Sequence, residues 1–249
     1  MPCEVGGRIV TDVNDLLAGL AQDLALGAAR GLPLPDRLCR AASSALGCDG
    51  GAITLAYTHV ERVTLATTDE VALVLEQIQD VVGQGPGPDA FTSGLYRRYD
   101  LLATADQDPR WPLVESESLT ALAPLVVHAI PMGGGTEQVV GVLTLHQFGR
   151  NRDFDVSDAL VVARVVMAAL VGDVGSIQDT SEGPWLERAQ VHQATGMVVA
   201  QLGLPEVDVL ALLRAHAFSH DESVASTARS VIERQLEFSA NAGQEIEST

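Results

Sequence analysis

The chain has no lysine: all 15 of its cationic residues are arginine, set against 33 Asp and Glu, for a formal net charge of −18. An acidic excess of that size keeps a molecule soluble and repels polyanions. It excludes adhesion to nucleic acid through overall charge and leaves only local contacts through guanidinium groups. Cysteine is scarce, and Cys3, Cys39 and Cys48 show neither CxxC spacing nor the paired histidines of a zinc site, so buried or free thiols and no metal are expected. Aromatic residues make up only 4% of the chain, which makes any core aliphatic. Long apolar runs are missing too. The longest, Ala159 to Val171, is interrupted by Arg164 and falls short of the ~20 residues a membrane span requires. Asp12, Asp15 and Asp23 stand where a secretory leader needs a basic start and an unbroken apolar stretch, so a cytoplasmic protein is expected. Neither Ser-His-Asp spacing, a phosphate loop, HExxH nor a dinucleotide glycine motif occurs, and an enzyme is not expected.

What the chain does have is 249 residues of which 47% are hydrophobic, enough to bury two cores. From Val10 to about Gly27, the set Val13, Leu16, Leu17, Leu20 and Leu24 recurs at helical steps, and Gly31, Pro33 and Pro35 end it. A second helix is expected over Asp36 to Leu46. Ala52 to Tyr57 and Arg62 to Thr67 alternate and are β-branched, which reads as a hairpin. Asp69 is the expected N-cap of a helix to about Val82, with Val71, Leu75, Ile78 and Val82 inward and Glu76, Gln79 and Asp80 outward. Pro124 to Pro131 and Val139 to Gln147 form a second expected hairpin across Gly133-Gly134-Gly135. Asp155 to Val171 reads as a helix whose broad apolar girth suggests burial on two sides.

Gly172 to Pro184 has linker composition. Beyond it, one helix is expected from Trp185 to Leu202, closed by Gly203, and a second after Pro205 carrying Val209, Leu210, Leu212 and Leu213. A third is expected where Ser219 and Glu222 sit at capping-box spacing, with Val224, Ala228, Val231, Ile232 and Leu236 on one face. The expected organisation is therefore a first domain over 1–172, a linker over 173–184, a three-helix domain over 185–238 and a disordered tail over 239–249. The overall class is α+β, an antiparallel sheet with flanking helices followed by an all-α unit.

Several motifs carry resemblances. Gly83-Gln84-Gly85-Pro86 with Asp89-Ala90, then Asp108-Pro109-Arg110-Trp111-Pro112, then Gly141-Val142-Leu143-Thr144-Leu145 resemble the GAF domain, a small-molecule or redox sensor fold, over about Asp12 to Gly172. Those residues read better as turn and core elements than as ligand groups, and His128, alone in an apolar strand, as a satisfied core histidine. No cofactor is expected, although the resemblance leaves room for an unidentified small-molecule ligand. The run from Trp185 to Val198, then Ala211 to Ala217, then Val224 to Ala228 resembles the ANTAR domain, and the whole chain the actinobacterial GAF–ANTAR regulators.

That second resemblance implies a homodimer whose three-helix modules bind paired RNA stem-loops and prevent transcription from terminating. The residues expected to meet RNA are Arg188, Gln193, Thr195, Arg214, Ser223, Arg229 and Arg234. Guanidinium groups can pair with phosphate or stack on bases, and amide and hydroxyl groups can reach unpaired loop nucleotides. Ala194 and Gly196 are expected to allow close helix packing. From Trp185 to Phe238, however, four Arg stand against seven acids. This motivates an alternative: a regulator that acts by protein interaction with no RNA contact.

Overall fold

The computed structural model describes residues 13–56, 62–101, 111, 125–134, 137–149, 154–172 and 184–238. Cys3, the expected linker apart from its ends, the expected tail from 239 onward and the Asp108–Pro112 motif except Trp111 lie outside them. Five strands form one antiparallel sheet in the order β2-β1-β5-β4-β3: β1 (Gly50–Ala56), β2 (Arg62–Thr67), β3 (Arg97–Leu101), β4 (Leu125–Gly134) and β5 (Glu137–Phe148). Both expected hairpins are present. β1 pairs with β2 and β4 with β5, while β1 against β5 joins the two hairpins and β3 adds the far edge. The second reversal needs glycine: Gly133 has φ +108, and a Cβ there would collide with the Gln138 carbonyl.

Helices cover both faces of this sheet, which is why strands such as β1 are buried almost continuously instead of on alternate residues. One face carries α1 (Val13–Ala29), α2 (Leu34–Ala45) and α5 (Val156–Gly172). Leu20, Leu38, Ile53, Ile130, Leu143, Val162 and Val166 interlock there. Within the stripe expected for α1, Leu16 and Leu20 are buried but Val13 stays 45% exposed. The two-sided burial of α5 is met within the chain, by the sheet on one side and by α1 and α2 on the other. Asp155 caps that helix, accepting hydrogen bonds from the Ser157 and Asp158 amides. Cys39 lies buried in this layer, and burial pushes its thiol pKa up, so the thiolate is disfavoured.

The opposite face holds α3 (Glu70–Val82) and α4 (Pro86–Ser93), where Leu75 meets Tyr99, Leu101, Trp111, Leu125 and Val127. Asp69 caps α3 as expected, its carboxylate accepting from the Ala72 amide at 2.8 Å, and Gly83 closes it at φ +69. One expectation fails. Glu76 and Gln79, placed outward by periodicity, are 2% and 1% exposed. Each is buried because it has polar partners: Arg62 and Thr54 surround Glu76, and Gln79 links the Leu75 carbonyl to the Gly87 amide.

The C-terminal residues form three helices, α6 (Pro184–Leu202), α7 (Glu206–Ser219) and α8 (Val224–Ile232). Gly203, at φ +68, turns the chain between the first two, whose axes differ by 109°. Ala194, Val198, Val209, Leu213, Ala228 and Val231 make their shared core. Two local expectations are corrected. Gly196 is exposed and a Cβ on it would meet nothing, so only Ala194 serves close packing. The cap of α8 is Ser223, accepting from the Ser226 amide, because the chain first makes a turn through Asp221 at φ +54. Ser219 instead ends α7, donating to the His216 carbonyl. No single helix is long and apolar enough to cross a membrane among the described residues.

Candidate functional site at the joint of sheet and C-terminal helices

The three C-terminal helices lie against the first unit: α7 and α8 meet α3, and α6 meets β2. Between them is a cavity of about 490 Å³. β2 contributes Arg62, Val63 and Thr64, and α3 contributes Leu73, Glu76, Gln77 and Asp80, which recur at the spacing of one helix face. From the other side come Arg188, Val191 and Thr195 of α6, Val207, Leu210 and Arg214 of α7, and the start of α8 from Ser223 to Ala225.

Two ion pairs tie the walls together. Arg62 donates from Nη2 to Glu76 Oε2 at 2.9 Å with both side chains almost wholly buried, and Thr54 Oγ1 donates to the same oxygen at 2.8 Å. One turn further along α3, Asp80 Oδ1 faces Arg214 Nη2 at 3.7 Å, across the joint. Burial pushes the Asp80 carboxyl above its ordinary value while Arg62 and Arg214 pull it down. Solvent still reaches 40% of that side chain, which limits the rise. Burial likewise lowers the Arg214 pKa, against the attraction of Asp80.

The residues expected to meet RNA divide into two sets. Arg188, Thr195, Arg214 and Ser223 line the cavity and face the first unit. Thr195 is 3% exposed and its hydroxyl donates to the Val191 carbonyl at 2.7 Å, so the expectation that it lies open on the helix surface is corrected for this arrangement. Ser223 Oγ is occupied as the α8 cap. Gln193, Arg229 and Arg234 are exposed and lie off the cavity. Neither Arg229 nor Arg234 has an ion pair with another described residue. Glu222 accepts from Ser226 and Thr227 at 2.8 and 2.7 Å. Partial burial works to raise its pKa, but those hydroxyls with His216 and His220 outweigh it and hold the carboxyl below its usual range.

Trp111 and His128 lie buried in the core, as read from the sequence. Trp111 is 4% exposed and packs edge-on to Tyr99 at 5.6 Å. His128 is buried, with Nδ1 2.7 Å from the Tyr96 hydroxyl, Nε2 3.3 Å from Gln147 Oε1 and Phe154 stacked on its ring at 3.7 Å. Burial lowers its pKa to about 4 and raises that of Tyr96 to about 12. The phenol therefore donates to Nδ1, and Nε2–H donates to Gln147. Among the described residues no group of three His, Cys, Asp or Glu could hold a metal. Arg62, Glu76 and Asp80 escaped sequence reading as site residues. The only signal was Glu76 and Asp80 on the helix that ends at the glycine-proline turn, which periodicity assigns to solvent, while Arg62 stands apart at the start of a strand.

Fold and joint together define a two-part α+β chain: a five-stranded antiparallel sheet between helical layers, with a three-helix unit seated against it through charged residues of both parts. No protein-family model matches the chain, and no curated protein matches it. Among solved structures it is similar to the GAF domain of a phosphoenolpyruvate-protein phosphotransferase from Coxiella burnetii, at 15% identity over 67% of this chain and 98% of that one, with a TM-score of 0.44. It is also similar to the GAF domain/HD domain protein of Geobacter sulfurreducens, at 13% identity over 70% and 100% of the two chains, with a TM-score of 0.38.

Proposed function

We propose that the chain is a signal-responsive regulator of the antitermination type, in which a GAF-like sensor unit holds an ANTAR-like RNA-binding unit in a closed arrangement. The sensor reading is supported by the order of helices, hairpin, helices, crossing strand, hairpin and helix, and by the Gly-Gln-Gly-Pro turn that links α3 to α4. The output reading rests on the sequence resemblance of 185–238. One observation carries the mechanism: four residues expected to touch RNA, Arg188, Thr195, Arg214 and Ser223, line the cavity against the sensor, and Arg214 is paired with Asp80 of α3. RNA binding then requires α6 to α8 to leave α3, and the signal acts by shifting that equilibrium. Two modules in a homodimer would supply twice the arginines, which an acidic unit needs to gain from phosphate contacts.

The test is a gel shift with an RNA carrying two stem-loops. Asp80→Arg repels Arg214 and Arg62, opens the joint and is expected to bind several-fold more tightly than wild type. Arg214→Ala is expected to bind more weakly than wild type. No retention of RNA by any form would remove the RNA reading. The alternative, a regulator acting by protein contact, is favoured by the exposed apolar residues Val207 and Phe218 on α7, at 62% and 57%. It would be supported if α7 captured a protein while RNA failed to bind.

A further inference from the structure

One residue lining the cavity at the joint, Arg62, carries an unsatisfied donor. The Arg62 side chain is 8% exposed and spends Nη2 on Glu76, while its Nη1 is buried with no hydrogen-bond partner among the described residues. Buried polar groups are almost always matched, and a charged donor left unmatched is the more costly case, so an acceptor arriving beside it is rewarded. The space is of ligand size, since small-molecule sites run from ~300 to ~1,000 Å³ and this one is about 490 Å³. Its walls are mainly apolar, through Val63, Leu73, Val191, Val207, Leu210 and Val224.

The charges decide the class of occupant. Arg62 is answered by Glu76, Arg214 by Asp80, and His192 lies 3.9 Å from Glu206. With Glu187 and Arg188 also in the wall, an anion entering here would meet four carboxylates, and a cation would compete with three guanidinium groups. A neutral molecule that brings an oxygen acceptor meets neither penalty.

We infer that this cavity binds a neutral, largely apolar small molecule presenting a carbonyl-type acceptor to Arg62. Such a molecule touches β2 and α3 on one side and α6, α7 and α8 on the other. It therefore stabilises the closed arrangement and opposes its opening. That consequence rests on the function proposed above, whereas the site itself does not.

The experiment is a fluorescence titration of the full chain, without RNA, using 6-propionyl-2-dimethylaminonaphthalene, a neutral aromatic ketone whose emission moves to the blue when it leaves water. Saturable binding of one dye per chain is expected. Arg62→Lys keeps a cation for Glu76 but lacks the second guanidinium nitrogen, and Leu73→Trp, at a position already 40% exposed, fills the mouth of the cavity. Each is expected to raise Kd at least ~10-fold, the loss of one charge-assisted hydrogen bond or of the apolar wall space. Unsaturable binding, or equal affinity in wild type and both variants, overturns the site and leaves adventitious dye binding only. Should Arg62→Lys fail to fold, Leu73→Trp decides alone. Equal or tighter binding of the anionic dye 1-anilinonaphthalene-8-sulfonate overturns the assignment to a neutral ligand. Because no RNA is present, failure here is distinct from failure of the RNA reading.

Discussion

His128 shows how a single residue can be legible in kind and not in detail. A histidine in an apolar strand is expected to be core, but which atoms satisfy it depends on Tyr96, Gln147 and Phe154, brought together only by the β3-β4-β5 order. The energetic consequence follows from its pKa, lowered by burial to about 4 from 6.5. Between those values the unfolded chain binds a proton at this residue that the folded chain does not. Stability from His128 is therefore full above pH 6.5 and is lost as the pH falls toward 4, by roughly 3 kcal/mol in all. His128→Gln, which cannot titrate, is expected to flatten that part of the profile in urea melts taken from pH 7 to 4. An unchanged difference between wild type and variant across this range would mean that the imidazole is not buried in its neutral form.

At the scale of elements, α3 is the instructive case, because its ends were readable and its faces were not. Asp69 and Gly83 are local signals, a cap at one end and a left-handed stop at the other, and both act within a turn of where they stand. The face carrying Glu76 and Gln79 depends on what comes near: Arg62 and Thr54 from strands far back in the chain and the Gly87 amide from the next helix. Hydrophobic period assigns a carboxylate to water because it cannot see a counter-charge outside its window. The start of α8 was misplaced by the same limitation, since Ser219 and Ser223 are equivalent as capping residues and only the turn at Asp221 selects the second. A buried pair is costly to break from one side. Glu76→Ala leaves the Arg62 guanidinium buried and uncompensated and is expected to destabilise by about 3–5 kcal/mol. Arg62→Met with Glu76→Met together is expected to cost much less, because neither charge remains. Denaturant melts of the two variants check this, and similar losses in both would show that the pair contributes little beyond its packing.

For the whole molecule, the arrangement that matters joins residues 134 positions apart, Asp80 and Arg214, and nothing in the sequence pattern announces it. The hairpins and helices of the first unit and the three C-terminal helices were legible because each set buries its own apolar periodicity. Their mutual seating was not, because it rests on charge and on a modest apolar cavity wall. On the proposed RNA-binding function, that seating makes salt act in two opposed ways. Added salt weakens the contact of arginine with phosphate, since each counterion released into a saltier solution gains less entropy. It also screens Asp80 from Arg214, two partly exposed groups, and so raises the fraction of molecules that are open. An exposed pair is worth at most about 1 kcal/mol, which caps the second effect near five-fold. In Asp80→Arg the sign of the joint interaction is reversed, so screening removes a repulsion and closes the molecule instead of opening it. Wild type is therefore expected to lose RNA affinity less steeply with salt than Asp80→Arg, in gel shifts from about 50 to 200 mM salt, the range over which phosphate contacts change most. Parallel slopes would mean that Asp80 and Arg214 do not restrain the C-terminal helices. A steeper slope for wild type would place the opening of the joint outside the path to RNA.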